Sequence, residues 1–80
     1  MKITLEDLLK IIAKSLNIKV SKINIKTKDT DLEEWDSLGQ LSIISALDKK
    51  FKGKVKFDSV ASLANINSIA NFLKKKKLLK

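Results

Sequence analysis

Three times along this chain, apolar residues return every three or four positions, the spacing that builds one face of an α-helix. Leu5, Leu8, Leu9, Ile12 and Leu16 form the first run. Thr4 stands before it as an N-cap, and Asp7 three residues on completes a capping-box pattern, so a helix is expected over about residues 5 to 16. Leu38, Leu41, Ile43, Ile44, Leu47 and Phe51 predict a second helix of about four turns with a broad apolar face, opening after Asp36 and stopping at Gly53. Ile66, Ile69, Ala70 and Leu73 lie at i, i+3, i+4 and i+7 behind Asn65, which can cap a last helix. Lys74 to Lys77 fall in its final turns, where cations interact favourably with the helix dipole.

The stretch between the first two helices breaks the pattern. Ile18, Val20, Ile23 and Ile25 are spaced partly by two, which leaves a pair of short strands open as an alternative. Ser21-Lys22 lacks the Gly or Asn that tight hairpin turns require, so a long loop from Asn17 to Asp36 is favoured, pinned by those four residues with Leu32 and Trp35 also docking. A loop of that length inside a compact domain calls for a functional reason. Beyond Gly53, Val55 and Phe57 sit in a linker, and Asp58 or Ser59 can cap a short third helix containing Val60 and Leu63. The expected class is all-α.

Eighty residues, 44% of them hydrophobic, fit one domain over residues 1–80 with a single small core. Cysteine and histidine are both absent. That removes disulfides, thiolate and imidazole metal sites, and any nucleophile built on Cys or His, so no catalytic residue and no metal site is assigned. A carboxylate pair would need a cleft that so short a chain struggles to build, and the expectation is a non-enzyme. Charged sequence begins before any signal-peptide core could form, and no apolar run approaches the roughly 20 residues of a membrane span. A cytoplasmic protein without stable membrane insertion is expected.

The formal net charge of +8 hides an uneven distribution. Residues 1–28 hold seven lysines and two acids, residues 29–48 hold six acids and no lysine, and residues 49–80 hold ten lysines and one acid. Inside the acidic window lies Leu32-Glu33-Glu34-Trp35-Asp36-Ser37-Leu38-Gly39-Gln40-Leu41. Asp36 at the N-cap can accept from the unpaired N–H groups of the first turn, which places Ser37 at the first helical position. There its hydroxyl projects to solvent and is not consumed by capping. The positive end of the helix also favours an anion built on that serine. Without histidine, Ser37 has no adjacent base to activate it, so it can receive a group but cannot act as a nucleophile unaided. In an arbitrary helical protein, Asp36-Ser37 would be only a helix cap, and Leu38 is read as core in either case.

The Asp36-Ser37-Leu38 triplet at the start of a second helix, after a long loop and near mid-chain, resembles the attachment site of the acyl carrier protein family. The resemblance covers essentially the whole chain and implies a four-helix carrier-protein bundle with a long loop between helices one and two and a short third helix. It implies 4′-phosphopantetheine covalently attached to Ser37, with Asp36, Leu38 and Gly39 around the attachment and Gly39 leaving space beside the arm. The arm's terminal thiol would hold an acyl or aminoacyl group as a thioester, which accounts for a carrier with no cysteine of its own. Implied partners are a phosphopantetheinyl transferase, which holds the divalent metal for the transfer, an acyl- or aminoacyl-activating ligase, and an acyltransferase or condensing enzyme. The carrier itself is expected to be a monomer.

Family members are typically recognised through acids on helix two. Here Gln40, Ser42 and Ser45 are the positions expected to be exposed after Ser37, and Asp48 is the only acid before Lys49 and Lys50. Glu33, Glu34, Asp36, Gln40, Leu41, Ile44 and Asp48 are taken as the partner-binding set, with the loop acids supplying much of the steering. That departure leans towards a specialised biosynthetic pathway over fatty acid synthesis. The rival is a small basic module using Lys49 to Lys56 and Lys74 to Lys80 on nucleic acid or another anionic surface. The lack of arginine and the few aromatics count against it, and nucleic acid is not an expected partner. An amphipathic tail over Phe72–Leu79 that touches anionic lipid is a related idea, against which a frayed, solvated terminus is preferred.

Overall fold

Thr4 and Asp7 exchange hydrogen bonds as the capping-box pattern requires: the Asp7 N–H donates to Thr4 Oγ1 and the Thr4 N–H to Asp7 Oδ2, each at 3.1 Å. Behind this cap the first helix, α1, runs over Leu5–Leu16. It stops at Asn17, which takes the left-handed conformation (φ 58°) that asparagine tolerates better than most residues. The N–H groups of Asn17 and Ile18 then close back on the carbonyls of Lys14 and Ala13. The computed structural model describes residues 2–55 and 63–80.

The second helix, α2, spans Ser37–Lys50 with Asp36 as its N-cap. Phe51 lies just past its end, and the chain turns through left-handed Lys52 and Gly53 (φ 52° and 87°). The third, α3, spans Ile66–Lys75, and the Asn65 side chain accepts from the Ser68 N–H at 2.7 Å. Leu8, Ile12, Ala13 and Leu16 of α1, Ile43, Ile44 and Leu47 of α2, and Ile66, Ile69, Ala70 and Leu73 of α3 meet in one core. α1 and α2 are antiparallel neighbours, with Leu16 at the end of α1 lying against Gly39 at the start of α2. The protein is thus all-helical among the described residues, which form no β-strand, only two isolated bridges. The expected short helix capped by Asp58 or Ser59 lies mostly outside the described residues; of its apolar pair only Leu63 falls within them, half-buried.

Between α1 and α2 the chain is a loop with two short 3₁₀ turns, Val20–Lys22 and Asp29–Asp31. Ile23 is buried, and Ile18, Ile25 and Leu32 are half-buried, as anchors should be. Val20, expected among them, is exposed, being carried outward by the first 3₁₀ turn. Buried Thr27 is satisfied locally, its hydroxyl accepting from the Asn24 N–H at 2.9 Å. Around it the loop clasps the start of α3: Asp29 N–H donates to Ala64 C=O (2.8 Å) and Ile66 N–H to Thr27 C=O (3.0 Å).

Two further expectations fail. Leu38 is 73% exposed, and Leu41 is also exposed, instead of joining the core. The reason is angular: five residues separate Leu38 from Ile43, which at about 100° per residue sets them roughly 140° apart around the helix. The C-terminal segment is not a frayed tail. Lys77 turns the chain in a left-handed conformation, Leu78 N–H caps Leu73 C=O at 2.8 Å, and Leu78 and Leu79 are buried. Ile3 and Leu79 then pair in a parallel bridge, with Ile3 N–H to Leu78 C=O at 2.9 Å and Lys80 N–H to Ile3 C=O at 2.8 Å. Sequestered in this way, Leu78 and Leu79 are not an apolar face that could enter lipid.

Candidate functional site

The start of α2 is organised by Asp36. Its Oδ1 accepts from the Gly39 N–H at 2.8 Å, and its carbonyl receives the Gln40 N–H at 2.9 Å. With the cap supplied by its neighbour, Ser37 stands at the first helical position, exposed, its hydroxyl without a hydrogen-bond partner among the described residues. An open depression of about 530 Å³ lies beside it, bordered by Asp29, Trp35, Asp36, Leu41 and Ala64.

What holds this platform in place lies underneath it. Trp35 is 5% exposed, and its indole N–H donates to Gln40 Oε1 at 2.6 Å. Gln40 in turn donates from Nε2 to the Leu63 carbonyl at 3.1 Å, so one side chain ties the loop before α2 to the segment leading into α3. Gln40 was expected at a solvent-facing, partner-binding position; it is half-buried and spent on these contacts. The signal for this was present, since Gln40, Ile44, Leu47 and Phe51 follow i, i+4, i+7 and i+11, the core stripe of the helix.

Gly39 also has a different task from the one expected. It is buried, and a Cβ there would run into the Glu34 carbonyl oxygen and come within 2.7 Å of Leu16 Cδ2. Its lack of a side chain serves the approach of the loop and α1 to α2, not room above Ser37. Ile44, placed in the partner-binding set, is buried in the core because it lies on the inward stripe. Glu33, Glu34, Asp36, Leu41 and Asp48 are exposed. Leu38 and Leu41 also border a second, larger groove of about 950 Å³ between α1 and α2, floored by Ile11 and Ala46 and rimmed by Lys14 and Lys49.

The geometry allows one kind of chemistry. A primary hydroxyl is presented at a helix N-terminus whose Ser37 and Leu38 N–H groups are not used by the protein among the described residues. Negative charge built at that oxygen meets the positive end of α2. The nearest carboxylate, Asp36, is committed to Gly39, and no group of three or more acidic residues among the described residues could hold a metal ion. Residues 6–73 match the sequence profile of the phosphopantetheine attachment site family. The chain belongs to that family. Searches of curated proteins and of solved structures gave no match.

The protein is therefore a phosphopantetheine-carrying acyl carrier protein, a carrier and not a catalyst, and its cofactor is covalent 4′-phosphopantetheine. The residues at the head of α2 fit the group: an unspent exposed hydroxyl, free backbone donors for a phosphate and an adjoining depression. When bound, the group supplies a thiol at the end of a flexible arm. Such a carrier works with modifying and synthetic enzymes, and no helix among the described residues is long and apolar enough to cross a membrane.

Proposed function

We propose that Ser37 bears the phosphopantetheine arm and that the carrier holds acyl or aminoacyl groups on it as thioesters for delivery to partner enzymes. The observation that carries this is the division of labour between Asp36 and Ser37: the carboxylate takes the cap and leaves the neighbouring hydroxyl exposed, with no hydrogen bond among the described residues. Attachment joins Ser37 Oγ to the pantetheine-side phosphorus of coenzyme A as a phosphodiester, breaks the pyrophosphate P–O bond and releases adenosine 3′,5′-bisphosphate. The hydroxyl proton passes to a base on the transferase, because the adjoining carboxylate, Asp36, is held by the Gly39 N–H. A phosphopantetheinyl transferase, an activating ligase, and an acyltransferase or condensing enzyme would act in turn. Glu33, Glu34 and Asp36 would steer these partners, with exposed Leu38 and Leu41 as the apolar contact. The weak acidity of α2 beyond Ser37, where Asp48 is its one acid, favours a specialised pathway over fatty acid synthesis. One domain over residues 1–80 is part of the same proposal, supported by the pairing of Ile3 with Leu79.

Intact-mass measurement after incubation with coenzyme A and a promiscuous transferase tests the assignment. A gain of one arm that maps to Ser37 and disappears in Ser37→Ala supports it. A folded protein that gains no mass beside an active transferase control, or gains it in Ser37→Ala, overturns it.

A further inference from the structure

Lysines that are distant in sequence share one end of this molecule. α1 and α2 are antiparallel, so the end of α2 lies by the start of α1, where Lys50 is within electrostatic reach of Asp7. The bridge between Ile3 and Leu79 brings the end of α3 to the same place. The pole remote from Ser37 thus gathers Lys50, Lys52 and Lys54, the run Lys74 to Lys77, and Lys80, all exposed. Glu6 and Asp7 at the start of α1 and Asp48 near the end of α2 are the acids that the three helices carry at this pole. The one ion pair among the described residues, Lys10 with Glu6, engages none of these lysines.

The fourteen residues of α2 put about 20 Å between Ser37 and this pole. That is more than twice the Debye length of ~8 Å at physiological salt, so the acids around Ser37 leave the field of the basic pole intact. The character of the patch says what it fits. It has no arginine fork for a particular phosphate, and its aromatics are withdrawn, Phe51 buried and Phe72 half-buried with Lys76 Nζ 5.7 Å above its ring. Leu78 and Leu79 are buried, and among the described residues only Leu5, 37% exposed at the start of α1, opens apolar surface near this pole, too little for a wedge. What remains is a broad field of mobile point charges, suited to a fluid anionic surface and not to base readout or insertion.

We propose that the basic pole docks the carrier peripherally on an anionic phospholipid bilayer, with the Ser37 pole held outward in solution. The binding is independent of whether Ser37 bears the arm; only its usefulness to delivery rests on that reading, and a failed attachment assay would leave it standing.

Co-sedimentation with vesicles of phosphatidylcholine alone and of phosphatidylcholine mixed with phosphatidylglycerol tests it. Expected are binding to the anionic vesicles only, loss of binding at high salt, and weakening by about tenfold or more when Lys74 to Lys77 are all replaced by glutamine. A second variant with Lys50→Gln, Lys52→Gln and Lys54→Gln should weaken binding while leaving the helical circular dichroism unchanged. Because the chain has no cysteine, a polarity-sensitive dye can be placed singly at Lys75→Cys or Glu33→Cys. On binding, the first should report a drier surrounding and the second no change. No binding to anionic vesicles, equal binding to neutral ones, undiminished binding by both folded lysine variants, tighter binding to duplex DNA at the same salt, or a dry signal from Glu33→Cys would each overturn the proposal.

Discussion

Asp36, Ser37 and Gly39 are near neighbours with separable duties, and substitutions should separate them. Asp36→Ala removes the cap from α2 and should cost on the order of 1 kcal/mol in urea denaturation. Ser37→Ala removes a solvent-facing hydroxyl that has no partner among the described residues, so its stability should stay within about 0.5 kcal/mol of the parent while arm attachment is lost. Gly39→Ala pushes a methyl onto the Glu34 carbonyl and Leu16, and should destabilise by roughly 1–3 kcal/mol by the same measurement. A neutral Gly39→Ala would show that the loop is free to retreat. Asp36 and Ser37 were readable because a cap and its neighbour are adjacent in the chain. For Gln40 the inward direction was legible from its register with Ile44, Leu47 and Phe51, but its partner was not, because the acceptor of its Nε2, the Leu63 carbonyl, is 23 residues away.

At the level of elements, the ends of helices carry much of the specification. The Asp7 carboxyl is held below its ordinary value of 3.8 chiefly by the Thr4 N–H, with the Thr4 hydroxyl adding to the effect. A lowered folded value means that this contribution is complete above the unfolded pKa and is lost as pH falls through the folded one. Acid titration of stability should therefore flatten in Asp7→Asn below about pH 4, compared with the parent. Caps at Thr4, Asp36 and Asn65 were all legible, since each is a local pattern. The faces of α2 were not, because Leu38 and Leu41 read as one run with Ile43 and Ile44 although they point elsewhere. The docking of Leu78 and Leu79 was hidden for another reason: their pairing partner, Ile3, is at the opposite end of the sequence. Leu79→Ala should cost about 2–5 kcal/mol, as a buried leucine does, where a frayed tail would give almost none.

Across the whole molecule, the polarity of the helices converts a sequence-level charge pattern into a spatial one. The start of α2, the loop acids and the Trp35–Gln40–Leu63 tie occupy one pole; the helix ends with their lysines occupy the other. The clasp of Ile3 and Leu79 has a topological consequence. Since the two segments are already hydrogen-bonded neighbours, a short linker could close the chain into a ring with little new entropy to lose. Cut elsewhere, such a ring becomes a circular permutant. Anything grafted at the original ends would emerge at the basic pole, at the opposite end of α2 from Ser37.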